Sequence, residues 1–370
     1  MRAVARWTLL DALRGLAALT VVFWHWPHFW SGDQLASRLS PDALPLYPIL
    51  APLYAYGWIA VDMFFVLSGF VFFWKYAAAI GERRIGVGQF ALLRFARLYP
   101  LHLLALVLVA ILQAAYSARF GSAFVFANND AYHLLLNLVM AEAWGLEQGF
   151  SFDGPAWSVS IEILLYAIFF LAASARLAGT WQIAVICIAA TLAYPAQEAI
   201  LVRGIMDFFA GGLAFRLVDA TASVRPAARY AGGVGVLLTG AFLMIARVAY
   251  EPDFIRAATL LTFPSLVYLL AISETRISSG RLQWLGDLSY SSYLLHFPLQ
   301  LLASYAVLAI AGPDGVTLFS RAWTLLAFFA VLVAVSLASN RLIERPAQKF
   351  ILKLRRPRLP AQIATKIVTK

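Results

Sequence analysis

The chain has 370 residues, of which 62% are hydrophobic and 13% charged, about half the charged fraction of a soluble domain. With a mean hydropathy of +0.77, this composition excludes a water-soluble enzyme and a disordered chain, and points to a polytopic α-helical membrane protein. The net charge of +10 reads as the basic loops of such a protein rather than as a nucleic-acid surface. The single cysteine, Cys187, lies in the apolar run IAVICIAATLA. It excludes an in-chain disulfide framework, a thiolate zinc site and a CxxC redox motif, and no metal site is expected.

In chain order, apolar runs of membrane-crossing length fall at about residues 8–28, 55–76, 98–117, 156–175, 181–196, 201–218, 230–249, 256–273, 286–311 and 320–342. That predicts ten transmembrane helices in one membrane domain, residues 1–348, followed by a basic tail, residues 349–370. The first run passes into WHWPHFW rather than a small-residue cleavage site, so it reads as a retained span. The stretch 131–145 is apolar but short and carries His133, Asn137 and Glu142, which predicts an interfacial or re-entrant segment. With both termini in the cytoplasm, most of the 29 Lys and Arg fall on the inside. The outer segments then hold only Arg38, Arg119, Arg203, Arg247, Arg256 and Arg321, as the positive-inside rule requires.

Ionisable residues within spans are costly, and each is a functional candidate. They are Asp11, Arg14, His25, Asp62, Glu162, Asp207, Asp287 and His296. Arg14 and His25 are eleven residues apart on the first span, so they share one face about 16 Å apart along the axis. Asp11 reads as a helix-end ion-pair partner of Arg14. Asp62 in GWIAVDMFF and Glu162 in PAWSVSIEILLY lie near the outer ends of their spans. Either carboxylate can be expected to orient the His25 imidazole. Tyr290, Tyr293 and His296 are spaced i, i+3, i+6, close to one face, and could line a polar passage or form an interhelical hydrogen-bond set. Arg94 and Arg97, with Arg83 and Arg84, form a basic cluster. Guanidinium forks suit phosphate, although the positive-inside rule alone accounts for arginines there.

The blocks LDALRGLAALTVVFWH, GWIAVDMFFVLSGF, Arg94-Phe-Ala-Arg97 before LYP, PAWSVSIEILLY, LSYSSYLLHFPL and LIERPAQKF run in order from about residue 9 to 348. In this the chain resembles the integral membrane acyltransferase family 3. The resemblance implies a ten-helix enzyme of the bacterial inner membrane. Such an enzyme moves an acyl group, commonly acetyl, from cytoplasmic coenzyme A to a hydroxyl, mostly of a surface polysaccharide, lipopolysaccharide or oligosaccharide. His25 is then the expected base, with Asp62 or Glu162 beside it. Arg14, Arg94, Arg97, Tyr290 and His296 are expected to hold acetyl-coenzyme A. Some members carry a fused soluble hydrolase-like domain; these 370 residues hold none, so a separate periplasmic partner stays open. A proton-coupled transporter and a partner-dependent acyl relay are the competing readings. Against the transporter, no repeated halves or matched Gly/Pro-broken spans are visible.

Overall fold

The computed structural model describes residues 6–31, 33–194, 200–277 and 280–354. Among these residues the chain is all-helical, without strands. Its helices are α1 (Thr8–Trp24), α2 (Tyr47–Tyr56), α3 (Ala60–Lys75), α4 (Val87–Phe120), α5 (Ala131–Leu138), α6 (Trp157–Ser174) and α7 (Thr180–Ala193). They are followed by α8 (Ile200–Ala220), α9 (Pro226–Ala246), α10 (Glu251–Ala257), α11 (Phe263–Ile277), α12 (Gln283–Ala311), α13 (Ala322–Ser339) and α14 (Arg345–Leu354). Short 3-10, π and single-turn pieces join them. The basic tail lies outside the described residues from 355 onward.

Eight helical segments are long and apolar enough to cross a membrane: Thr8–Trp30, Tyr47–Lys75, Val87–Phe120, Gly154–Ser174, Pro226–Ala246, Glu251–Glu274, Gly280–Ala311 and Ala322–Leu354. The chain is a multi-pass membrane protein. The two other expected spans are helices with a physical limit. Helix α7 has 14 residues, a rise of about 21 Å against a hydrocarbon core of about 30 Å. Helix α8 is long enough but carries Arg203, Asp207 and Arg216. The stretch 131–145 holds only the eight-residue α5, too short to cross. Helix α4 begins at Val87 rather than at residue 98 and runs 34 residues. Arg94 and Arg97 therefore stand on its side, about two to three turns into the helix, and not in a loop before it.

Glycines set two of the helix contacts. A Cβ at Gly69 on α3 would lie 1.8 Å from Phe208 O on α8, and one at Gly211 on α8 would lie 1.9 Å from Val66 O on α3. A Cβ at Gly15 on α1 would lie 2.1 Å from Leu285 O on α12. Small residues let backbones approach where lipid gives no hydrophobic drive between helices. The close α1–α12 approach lays the polar faces of both helices against each other. Around the α3–α8 contact, Phe70, Phe72, Phe73, Phe169, Phe208 and Phe209 are all nearly inaccessible and make the aromatic centre of the core.

Candidate active site

Two imidazoles meet where α1 ends. His25 caps α1, and its carbonyl accepts from Gln300 Nε2 at 2.9 Å. The next residue, Trp26, is pinned by its Nε1 to Phe319 O at 3.0 Å. His296 comes from α12, with its Nδ1 2.6 Å from Tyr293 O and its Nε2 2.8 Å from His25 Nδ1. The two rings are parallel within 3°, with centroids 5.0 Å apart. The hydrogen bonds assign the protons. A carbonyl only accepts, so His296 Nδ1 carries a hydrogen and its Nε2 presents a lone pair. His25 Nδ1 therefore donates to that lone pair, which leaves a lone pair on His25 Nε2. An imidazole held in this tautomer has the form of a general base.

A third imidazole, His28, lies over His25 with centroids 4.8 Å apart and planes 20° apart. Sequence reasoning passed over it, although its i+3 spacing from His25 was the available signal. Beside it, Phe126 packs on His28 and against Gly154. Next to Gly154 is Asp153, whose carboxylate is buried with both oxygens unpartnered. Glu142 is buried and unpartnered in the same way. Burial pushes the Glu142 carboxyl up to about 8 and raises that of Asp153 well above its usual range, with Glu142 adding to the shift.

The two carboxylates expected beside His25 are elsewhere. Asp62 accepts both Nε and Nη2 of Arg203, and that guanidinium lies 4.7 Å from the Trp58 ring. Asp207 belongs to the same cluster, taking the Thr259 hydroxyl. A buried carboxylate needs a cation, and α8 supplies one; reading Arg203 as an outer-segment residue hid it. Glu162 accepts from Ser68 Oγ at 2.7 Å and lines a cavity whose wall includes neither His25 nor His296. The orienting partner of His25 is thus His296, which was expected at the donor instead.

That cavity, of about 200 Å³, enters the bundle from the end that carries Lys75 and Arg345. Six cations line it: Arg6, Arg14, Lys75, Arg94, Arg97 and Arg345, against two carboxylates, Glu162 and Asp287. Arg14 donates to Ser289 Oγ at 3.0 Å and pairs with Asp11 at 2.9 Å. Arg97 pairs with Glu344 at 2.8 Å and lies 5.3 Å from the Tyr290 ring. Arg94 is held 5.0 Å from the rings of both Phe72 and Tyr76. Glu344, in the block LIERP, was the partner that sequence reasoning did not name. On α12 the lining runs from Gly286 to Tyr293, where the Tyr293 hydroxyl donates to Pro155 O at 2.7 Å and takes that of Ser158 at 2.7 Å. His296 follows one helical turn later, a rise of about 4.5 Å. The cavity therefore ends one turn short of the imidazole pair.

A family model described as an acyltransferase domain matches residues 7–341, which takes in both histidines of the pair and all of the cavity lining except Arg6, Arg345 and Gln348. The chain belongs to acyltransferase family 3. The acyltransferase MdmB of Streptomyces mycarofaciens is 26% identical over 96% of this chain and 94% of its own length. Protein 2 in the picA locus of Rhizobium radiobacter is 41% identical over 105 residues, 28% of this chain, which spans 44% of that protein. No solved structure matches. The molecule is a membrane acyltransferase of this family, with a base-competent imidazole one helical turn beyond a cationic cavity.

Proposed function

We propose that the protein transfers an acyl group, acetyl by preference, from acyl-coenzyme A to a hydroxyl of a carbohydrate on an exopolysaccharide, lipopolysaccharide or oligosaccharide. The observation that carries this reading is the cavity itself. Six cations against two carboxylates suit a phosphate-bearing donor, and the cavity leads toward a histidine with an open Nε2. In this reading the basic end faces the cytoplasm of a bacterial inner membrane, both termini lie on that side, and the acceptor arrives at the histidine end. The buried oxygens without a donor there, on Asp153, Glu142 and Gln300, suit an acceptor rich in hydroxyls.

The reaction needs no covalent enzyme intermediate. His25 Nε2 takes the proton of the acceptor hydroxyl as its oxygen attacks the thioester carbonyl. His296 takes up the Nδ1–H of the imidazolium in its hydrogen bond, much as a carboxylate does in a triad. Collapse of the tetrahedral adduct breaks the C–S bond, and the proton passes from His25 to the departing thiolate. The C–O bond formed and the C–S bond lost balance the transfer.

Thiol release from acetyl-coenzyme A by purified protein in nanodiscs, with and without cell-envelope glycans, tests the reading. Glycan-dependent release that vanishes in His25→Ala supports it. Release only after adding a periplasmic extract turns it into an acyl relay. Absence of both donor binding and release overturns it and favours a transporter.

A further inference from the structure

The wall of the donor cavity is nearly self-contained in its hydrogen bonding. Tyr290 donates to Leu98 O, Tyr293 to Pro155 O, Ser68 to Glu162, and Ser289 to Gly286 O. Asp287 is shared between Arg6 and Arg345. Among the described lining residues, two keep a buried side-chain polar atom without a partner: Asn340 through Oδ1 and Arg94 through Nε. Asn340 is 4% exposed. A buried acceptor and a buried donor left open cost free energy unless a ligand or water meets them.

Asn340 is placed by its helix and Arg94 by contacts of its own side chain. Asn340 opens a π-helical turn, Asn340–Glu344, of the kind that recurs at functional sites. The far end of that turn, Glu344, holds Arg97 at 2.8 Å and takes the Ser291 hydroxyl. Arg94 is fixed by the Tyr76 hydroxyl and the rings of Phe72 and Tyr76. One open acceptor and one open donor on the wall complement a secondary amide, which offers an N–H and a C=O. A coenzyme A thioester carries two such amides in its pantetheine arm, between the phosphates and the sulfur.

We propose that Asn340 and Arg94 form a reading site for the pantetheine arm, Asn340 Oδ1 accepting an amide N–H and Arg94 Nε donating to an amide carbonyl. Arg94 is then an arm-binding residue, and the phosphates fall to the cations nearer the mouth, Arg6, Lys75 and Arg345. This rests on an acyl-coenzyme A donor and goes beyond it in dividing that donor between two sets of residues.

Isothermal titration of the full chain in detergent tests it with two probes: acetyl-coenzyme A, and 3′-phospho-ADP, which has the phosphates and no arm. Asn340→Leu is expected to weaken acetyl-coenzyme A about 10-fold, the scale of one hydrogen bond in a buried site, and to leave the affinity for 3′-phospho-ADP unchanged. Arg94→Lys, which keeps the charge and loses the Nε–H, is expected to give the same pattern, so the result does not hang on one variant's folding. Arg345→Gln is expected to weaken both probes. Equal loss of both probes in Asn340→Leu, or no loss, overturns the assignment. If the wild type binds neither probe, the donor reading itself fails.

Discussion

His25 Nδ1 lies 2.8 Å from His296 Nε2, and the carbonyl of Tyr293, 2.6 Å from His296 Nδ1, fixes the direction of that hydrogen bond. The α12 backbone thereby sets the proton arrangement of a side chain on α1. Removing the base in His25→Ala is expected to lower turnover about 10²- to 10⁴-fold, the usual contribution of a positioned base. His296→Leu leaves Nδ1–H of His25 without an acceptor, so the imidazole is free to adopt the other tautomer. We expect kcat to fall about 10-fold or more with KM for the donor unchanged. His296→Gln retains an acceptor oxygen and is expected to lose less. Steady-state kinetics on the three variants checks the order; equal losses in His296→Leu and His296→Gln would remove the tautomer argument.

Asp62 is a structural residue in this geometry, bound to Arg203 on both carboxylate oxygens. Asp62→Asn strands a guanidinium that is 19% exposed, and breaking such a pair costs about 3–5 kcal/mol. Asp207→Asn is expected to cost much less, because Thr259 donates to one oxygen and the other, Oδ2, has no partner to lose. Thermal unfolding in detergent reads the difference. Activity per folded molecule should survive in Asp62→Asn; a folded but inactive variant would return Asp62 to the catalytic machinery.

Asp62 and His296 mark the boundary of what was legible in the sequence. Hydropathy and charge bias gave the helices, because crossing a membrane is a constraint on local composition. They misjudged α7, whose apolar run is right but whose length is short, and the start of α4, because Arg94 and Arg97 hold back the apolar run until after the helix has begun. The i, i+3, i+6 spacing put Tyr290, Tyr293 and His296 on one side of α12. It could not divide them between a cavity wall and an imidazole pair, since that depends on the depth at which α1 meets α12. The partners of Asp62 and Arg97 are 141 and 247 residues away. No periodicity encodes such pairings, and the helix-packing glycines that bring them together read only as small residues.

Those glycines are testable in their own right. Gly69→Ala and Gly211→Ala would each drive a methyl to within 2 Å of a backbone carbonyl oxygen across the α3–α8 contact. Backbone cannot rotate away as a side-chain tip does, so overpacking of about 1–3 kcal/mol or more is expected. Gly88→Ala meets nothing within 4 Å and lies in the first turn of α4, so a neutral to slightly stabilising change is expected there. Melting temperatures and the yield of monodisperse protein would separate the three variants. Wild-type stability in Gly69→Ala would mean that α3 and α8 do not meet backbone to backbone at this position.

The buried Glu142 carboxyl gives the stability a pH dependence of defined sign. Its pKa rises from about 4.5 in the unfolded chain to about 8 in the folded one. Between those values the folded protein holds a proton that the unfolded chain has lost. The unfolded state then binds fewer protons, so stability falls as pH rises across that window and levels off above about 8. Asp153, shifted in the same direction by burial, adds a second contribution of the same sign. Glu142→Gln keeps the size and the hydrogen-bonding edge while removing the titration. It is expected to flatten the decline in melting temperature between about pH 5 and 8 and to be more stable than the wild type at the upper end. An unchanged slope in Glu142→Gln would show that this carboxyl is solvated or paired with a cation in the folded protein. That outcome would also weaken its place among the hydroxyl-facing groups at the histidine end.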